Sequence, residues 1–292
     1  MISTPLSAPV IAAARLRGGS AGSSRGAASL AKEAAGTARD CGCTGTIIVR
    51  MDSGFYSSAV IREIRAQGAR FSVTVPVNAS VRAAIAAIPE GGWTPIRYPR
   101  AIWDDQAGGW VSDAEVAETQ YTAFTSKKKE LHVTARLIVR RVRARNEKAA
   151  DGQGELFPAW RYHAVFTDSP FVMLQAEDQH RDHAVVEQVY ADWNDGPLAH
   201  MPSGDFNANA AWTAIAAMSQ NLVRAAGVLA GPLLAKARTA TIRRDIITVA
   251  ARIARRGRGN LTLHLPEGWH REHEWASLWT KAAGTGPPAA AA

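Results

Sequence analysis

Asp52 is the first residue whose position suggests chemistry. It follows the β-branched run TIIVR and Met51, and the turn-forming residues Ser53 and Gly54 come next. Reactive side chains in an α/β sheet collect at the carboxyl ends of strands, where the chain leaves the core. Burying a carboxylate there is costly unless it is paired or binds a cation. Asp52 is therefore either a cap for the following turn or a ligand for a cation, and this stretch alone leaves both open.

Glu187 is the second candidate, in the segment HRDHAVVEQVYADW. The segment predicts a helix from about Arg181 to Trp193. Val186, Val189, Tyr190 and Trp193 are expected to form its apolar stripe, with Glu187 at the edge. A surface ion pair is the simpler interpretation of Glu187 from spacing alone. An Asp and a Glu at one site would permit either cation binding or acid–base chemistry.

Three further motifs are weaker. His180 and His183 have a spacing that suits one helix face, but a third zinc ligand is not evident. The segment HREHE near residue 270 is weak for the same reason. The small-residue stretch GGSAGSSRGA matches neither the dinucleotide-binding fingerprint nor a Walker motif, so a phosphate-binding role is not favoured.

Hydrophobic periodicity and turn residues predict the elements that would position these side chains. A loop over 18–28 precedes an Ala-rich helix that ends at about Asp40, and the strand before the aspartate follows. A helix from about Ser57 to Gln67 then leads to a second strand, RFSVTVPV. Strands flanked by helices in this way predict an α/β layer.

Segment 78–168 is predicted to be a β-rich insertion. Its strand-like pieces TQYTAFT, LHVTARLIVRRVRAR and WRYHAVFTD are separated by turn-rich sequence. Helices resume afterwards, and the almost wholly apolar helix from about Asn209 to Ala226 is expected to lie in the core.

The charge balance points to a polyanionic partner. Lys and Arg outnumber Asp and Glu by 34 to 26, which gives a net charge of +8 and an isoelectric point of about 9.9. Nucleic acid is the default partner of such a chain, although excess charge can simply keep an enzyme in solution. Between Arg224 and Arg258 there are nine basic residues and one acid, Asp245. The residues of this segment predicted to contact phosphates are Arg224, Arg238, Arg243, Arg244, Arg252, Arg255 and Arg256.

Cysteine content and hydropathy favour a cytoplasmic protein. The two cysteines, Cys41 and Cys43, are too close in sequence for an ordinary disulfide. No window reaches the ~18 uninterrupted apolar residues that a membrane span requires. We therefore expect a protein that is neither exported nor embedded in a membrane.

Five segments carry a resemblance when taken in order: RLRGGSAGSSRGA, IIVRMDSGFYS, HRDHAVVEQV, GPLAHMPSGDFNANAAW and NLVRAAG. Together they resemble the transposases of bacterial insertion sequences of the DDE class. The resemblance implies an RNase H-like α/β fold, in which a mixed sheet is flanked by helices. The core would comprise 1–77 and 169–230, with the β-rich insertion at 78–168 and a basic helical segment at 231–292.

The resemblance also implies a reaction and its site. Family members cleave and transfer DNA strands at the terminal inverted repeats of their element, using three carboxylates that hold two Mg²⁺ ions. Asp52 corresponds to the second carboxylate and Glu187 to the third. Hard oxygen ligands suit Mg²⁺, and Mn²⁺ shares this preference. The expected partner is double-stranded DNA at the bacterial nucleoid, and a homodimer on DNA is compatible with this function.

This chain departs from the family around Glu187. Members usually carry a Tyr or a basic residue seven positions before the glutamate, a basic residue four before it and a Lys seven after it. Here these positions hold His180, His183 and Asn194. Phosphate contact by this helix is therefore expected to be weaker than in the family or shared with Arg181, and His183 and Arg181 are its predicted DNA-binding residues.

A second departure concerns the first catalytic aspartate, which in the family lies well upstream of the segment RLRGGSAG. No Asp or Glu precedes Glu33 in this chain. We therefore expect an N-terminally truncated copy that lacks the first strand and the first metal ligand and is inactive or impaired. Two other interpretations stay open: a non-catalytic DNA-binding remnant, and a metal-independent hydrolase in which Asp52 and Glu187 act as acid and base.

Overall fold

The computed structural model contains helices, strands and connecting turns. The described residues are 1–4, 7–96, 103–105, 109–110, 114–143, 160–182, 185–255 and 261–284. The strands are β1 Ile2–Thr4, β2 Ser7–Val10, β3 Ile48–Met51, β4 Arg70–Val75, β5 Thr94–Ile96, β6 Trp103–Asp104, β7 Gly109–Trp110, β8 Ala114–Ala123, β9 Val133–Arg143, β10 Trp160–Thr167, β11 Arg252–Arg255 and β12 Leu261–His264. The α-helices are α1 Ala27–Asp40, α2 Ser58–Ala66, α3 Ala79–Ala86, α4 Met173–Arg181, α5 Val185–Asn194, α6 Phe206–Ala230, α7 Pro232–Ala235, α8 Thr239–Ile242 and α9 Glu272–Ala283.

The chain divides into two compact units. The central unit is Gly19–His183, and the terminal unit combines Met1–Gly18 with Ala184–Ala292. The residues of 1–77, expected to form one part of the core, are therefore shared between the two units. The proposed division at 78, 169 and 231 stays a prediction.

A six-stranded sheet forms the central unit in the order β3-β4-β10-β9-β8-β5. Strands β3 and β4 are parallel, and the other neighbouring pairs are antiparallel. This mixed sheet with its helices confirms the predicted α/β class. The strands predicted within 78–168 are present as β8, β9 and β10, and they are hydrogen-bonded into the same sheet as β3 and β4. Helix α3, which the sequence analysis did not predict, also lies in this segment.

Alternation along β4 separates a buried apolar face from a polar one, because successive side chains of a strand point to opposite faces. Phe71, Val73 and Val75 are almost completely buried in the main core. Ile61 and Ile64 of α2 lie in the same core. The predicted helix is therefore confirmed. Its buried isoleucines pack in the same core as the apolar face of β4.

Strand β3 is less buried than the sequence analysis expected. Ile48, Val49 and Arg50 are half-buried, and only Met51 is buried. Within the described part of the chain, β3 pairs with β4 alone and stands at one end of the sheet. The strand that leads to Asp52 is thus an outer strand of the described sheet rather than an interior one.

Polar contacts attach α4 to the other face of the sheet. Buried His180 places Nδ1 2.8 Å from Ser72 Oγ and Nε2 3.0 Å from Thr74 Oγ1. Arg50 donates to the backbone oxygen of Gln179 at 2.5 Å. Both ring nitrogens of His180 are therefore engaged by the sheet. This position, noted above for phosphate and zinc binding, has a structural role in this fold.

Two helices differ from their predicted extent. The helix expected from about Arg181 to Trp193 is present as α5, but it begins at Val185, and Arg181 ends α4 instead. Helix α6 extends the predicted 209–226 at both ends. Its expected burial was wrong for one face, since Ile215, Met218 and Leu222 are 54%, 59% and 71% exposed. A continuous apolar sequence does not reveal which sides of a helix find partners.

The length and hydropathy of the helices bear on the membrane prediction. Among the described residues, no helix is both long and apolar enough to cross a membrane.

The segment after 230, predicted to be helical, also contains the antiparallel pair β11 and β12. Two short runs with alternating apolar residues, RIAR and LTLH, flank a sequence that contains Gly257 and Gly259. Such a pattern is typical of a hairpin, and it corrects the purely helical prediction.

The N-terminal residues are attached to α6 within the terminal unit. The backbone N–H of Ile11 donates to Asn221 Oδ1 at 2.8 Å, and Asn221 Nδ2 donates to the backbone oxygen of Ile11 at 2.9 Å. The Ile11 side chain lies in an apolar cluster with Val189 and Trp193 of α5. The segment that precedes Gly19 therefore helps to hold α5 and α6 together.

The buried carboxylate of Asp192 fixes α5 against its neighbours. Its Oδ2 accepts from Arg224 Nη2 at 2.6 Å and from Gln220 Nε2 at 3.0 Å. Its Oδ1 accepts from Thr239 Oγ1 at 2.8 Å and from the Thr239 backbone N–H at 3.1 Å. Arg224 also donates to the backbone oxygen of Ala237. This network joins α5, α6 and α8, and it sets the orientation of the helix that carries Glu187.

Replacing Asp192 with Ala should lower the free energy of unfolding of the terminal unit by about 3–5 kcal/mol, because Arg224 would stay buried without its counter-charge. Asp195→Ala is the matched control. Asp195 is 68% exposed and lies 3.7 Å from the equally exposed Arg238, so a loss of about 0.5 kcal/mol or less is expected. Urea unfolding followed by tryptophan fluorescence compares the variants. Equal losses would contradict the structural role of Asp192.

Candidate functional site

Asp52 stands where β3 ends and the chain turns into the 3₁₀-helix Ser53–Phe55. Its Oδ1 accepts a hydrogen bond from the Gly54 backbone N–H at 2.9 Å. The capping interpretation is therefore correct. Asp52 is also exposed, and its Oδ2 has no hydrogen-bond partner within the described residues. The turn thus fixes one carboxylate oxygen and leaves the other accessible to a ligand.

Gly54 allows the loop before α1 to approach this turn. A Cβ at position 54 would lie 3.0 Å from the Cβ and Oγ atoms of Ser23 and 3.1 Å from Asp52 Oδ1. Any larger residue must therefore displace either the loop or the carboxylate. The sequence analysis missed this contact between Ser23 and the turn. The available signals were the glycine that follows Asp-Ser and the run of small residues around Ser23.

Tyr56 supports the turn from the core side. Its ring centroid lies 4.7 Å from that of Phe124 and 6.3 Å from that of Phe166. Burial, together with the charge and the hydrogen bond of Tyr121, raises the pKa of Tyr56 above its ordinary value. The hydroxyl stays protonated at neutral pH, so Tyr56 is a packing residue beside Asp52 and not a proton acceptor.

Glu187 is exposed in the first turn of α5. Val189 and Trp193 are buried on the same helix, which confirms this part of the predicted apolar stripe. Tyr190, expected on the same stripe, is instead 54% exposed. Glu187 belongs to the terminal unit and Asp52 to the central unit. Within the described part of the chain, no three His, Cys, Asp or Glu side chains form a group that could hold a metal ion.

Four of the predicted DNA-contacting arginines have acidic partners within the protein, and two of these, Arg181 and Arg224, are at least half-buried. Arg181 donates to Glu177 at 2.9 Å and to Asp178 at 2.6 Å. Arg224 is buried with Asp192, as described above. The geometry gives Arg224 a structural role, because a guanidinium enclosed with a carboxylate is not presented to a phosphate. His183 and Arg256 lie outside the described residues.

The remaining predicted arginines are exposed: Arg238, Arg243, Arg244, Arg252 and Arg255.

The one acid of this basic segment is neutralised locally. Asp245 accepts from Arg244 at 2.6 Å, and Arg271 lies 3.5 Å from the same carboxylate. The hydrogen bond from Arg244 and the positive charges of Arg244 and Arg271 hold the pKa of Asp245 below its ordinary value. Arg252 and Arg255, by contrast, have no ion-pair partner in the described structure. Their charges are available to an external anion.

Comparison with known families gives a match that covers most of the chain. The fold and the match together define the class of DDE transposases. Residues 8–283 match the family described as transposase DDE domain group 1. The match covers nearly the whole chain, and the protein belongs to this family. A search of curated proteins found no match.

The metal requirement of the family can be compared with the residues present. DDE transposase domains generally use divalent metal ions. Asp52 and Glu187 are the right kind of donor, because Mg²⁺ prefers oxygen ligands. Among the described residues, neither of them belongs to a group of three or more potential metal-binding side chains. The donor chemistry therefore fits a divalent ion, whereas a complete ligand set is not present in the described structure.

Gly54→Ala should lower the free energy of unfolding of the central unit by about 1–3 kcal/mol, because the added methyl overpacks the contact with Ser23. The double variant Ser23→Gly/Gly54→Ala should recover much of this loss, since Ser23 supplies two of the three close contacts. Urea unfolding of both single variants and the double variant completes the cycle. Gly45→Ala is the control, because its Cβ would meet no atom within 4 Å. Strictly additive losses would contradict the contact.

Proposed function

We propose that this chain is a DNA transposase that cleaves and transfers strands at the terminal inverted repeats of its own element. The family match over residues 8–283 carries the proposal. The exposed carboxylate of Asp52 at the end of β3 and the exposed Arg252 and Arg255 of the terminal unit support it. An RNase H-like arrangement of the core is part of the same proposal.

Asp52 and Glu187 are the proposed catalytic carboxylates. Both are exposed, and their oxygens suit Mg²⁺ or Mn²⁺. The chemistry supplied by two bound divalent ions in such a site is activation of a water or a 3′-hydroxyl and stabilisation of the leaving oxygen. The chain itself contributes preorganisation. The Gly54 N–H holds Oδ1 of Asp52, so that Oδ2 is presented in a fixed direction.

The proposed activity of the 292-residue polypeptide is impaired. Two carboxylates cannot fix two ions in line with a phosphodiester as three can. The described residues contain no three-donor group. We therefore expect slow, metal-dependent cleavage at best.

A second candidate function is a DNA-binding remnant without catalysis. Two observations favour this candidate. The described residues lack a three-donor group that could hold a metal ion, and exposed arginines are present in the basic segment. In this alternative the basic segment binds phosphates and Asp52 is only the cap of its turn. The expected location of either form is the bacterial cytoplasm, on the nucleoid, and a homodimer on DNA belongs to the same proposal.

Cleavage of duplex DNA that carries the inverted repeats flanking the reading frame tests these proposals. The purified 292-residue chain should bind this DNA and nick it slowly in Mg²⁺ or Mn²⁺, and EDTA should abolish nicking. Asp52→Asn should reduce nicking by at least the ~10–100-fold that outer-shell partners of a bound metal contribute. The dissociation constant of the Asp52→Asn variant for this DNA should be nearly the same as that of the wild-type chain. Asp40→Asn, an exposed aspartate at the end of α1, is the control.

Each result separates the alternatives. Rapid cleavage by the wild-type chain would refute impairment. DNA binding without cleavage by either protein would favour the remnant, and cleavage that persists in EDTA would favour the metal-independent hydrolase. Absence of any DNA binding would refute both leading proposals.

A further inference from the structure

Strands β11 and β12 form a two-stranded antiparallel ribbon whose register defines its two faces. Ile253 lies opposite Leu263, and Arg255 lies opposite Leu261. Directly opposed residues share one face, and the faces alternate along each strand. These four residues therefore lie on the same side of the ribbon, which is called the ribbon face below.

The ribbon face is open to solvent. Ile253 and Leu261 are each 67% exposed, Leu263 is 40% exposed, and Arg255 is also exposed. On the other side of the ribbon, Ala254 is half-buried. The apolar side chains thus point away from the protein, although burial of three such residues would be favourable. This arrangement indicates that the ribbon face has a partner.

The charge around the ribbon restricts the kind of partner. Residues 246–266 contain four arginines and no Asp or Glu. Arg252 and Arg255, the two arginines of the described strands, have no ion-pair partner in the described structure. The other two, Arg256 and Arg258, belong to residues 256–260, which connect the strands in sequence and lie outside the described residues. A partner with dense negative charge around an apolar interior complements this surface.

The geometry points to duplex DNA as that partner: we propose that the β11–β12 ribbon enters a groove with its ribbon face toward the base edges. The major groove is about 12 Å wide and admits a two-stranded ribbon. Thymine methyl groups provide apolar contacts inside it, and Arg can bond to guanine. Ile253, Leu261 and Leu263 are suited to contact thymine methyl groups, and Arg255 is suited to bond to guanine.

The two arginines have different roles in this arrangement. Arg255 lies on the ribbon face and reaches toward the bases or the nearest phosphates. Arg252 lies on the opposite face, paired across the strands with His264, and it is placed to contact the phosphate backbone. The ribbon would therefore select sequence, which goes beyond the general phosphate attraction of the basic segment. This inference rests on the DNA binding proposed above.

The experiment uses the full 292-residue chain and a pool of 30-base-pair duplexes with a randomised centre. Selection on the wild-type protein yields preferred duplexes, and replacing their thymines with deoxyuridine removes the methyl groups. Ile253→Thr/Leu263→Thr keeps strand-compatible residues and removes apolar surface from the ribbon face. It should reduce the preference for selected over unselected duplexes about tenfold, because the apolar contacts to thymine methyl groups would be lost. Deoxyuridine should weaken wild-type binding and leave the variant unaffected.

Matched variants test the apolar and charge contributions separately. Ile215→Ala/Leu222→Ala removes an equally exposed apolar pair from α6 and should leave the preference unchanged. Arg252→Gln should lower the slope of log affinity against log salt by about 1, because Arg252 is the proposed phosphate contact. Arg62→Gln, at an exposed position on α2, should not. Far-ultraviolet circular dichroism and urea midpoints verify that each variant folds.

The outcomes distinguish this inference from the function on which it rests. If the wild-type chain binds no duplex, the proposed function fails. If it binds and the Ile253/Leu263 variant retains the full preference, the ribbon inference alone is overturned. A variant that changes sedimentation behaviour but not DNA binding would also overturn it and would identify the ribbon face as a protein interface.

Discussion

The central unit depends on β4, which is hydrogen-bonded to parallel β3 on one side and to antiparallel β10 on the other. Phe71 and Val73 bury its apolar face completely, while Ser72 bonds to His180 on the opposite face. A one-residue shift would exchange these faces, so both the core and the polar contact oppose it. The parallel register places Met51 opposite Val73. The position of Asp52 at the end of β3 follows from that register.

Burial divides the charged residues of this protein into two functional groups. Arg224 is enclosed with Asp192, where removal of either charge would leave the other buried without compensation. Its role is to hold helices together. Arg252 and Arg255 lie on an exposed ribbon, where water solvates their charges and no counter-charge within the protein is required. A basic segment that looks uniform in sequence therefore contains both structural and DNA-binding candidates.

Local patterns predicted the elements with short-range causes. Alternation in RFSVTVPV corresponds to β4, and the helical spacing of Ile61 and Ile64 corresponds to a buried face of α2. Predictions that required knowledge of neighbours were less accurate. Helix α6 is mostly apolar, but Leu222 is exposed because no described element covers it. Helix α4 was not predicted, and the predicted start of the next helix, at about Arg181, instead lies in the last turn of α4.

The sequence by itself determined the strand before Asp52, the basic character of the terminal segment and the membership in a transposase family. These properties depend on residue order, composition and spacing along the chain. Only the tertiary structure decided that Gly54 must accommodate Ser23, that Arg224 is enclosed with a carboxylate and that Ile253 faces solvent. Those outcomes depend on contacts between residues far apart in sequence, and a local pattern cannot specify which distant side chain will occupy the neighbouring space.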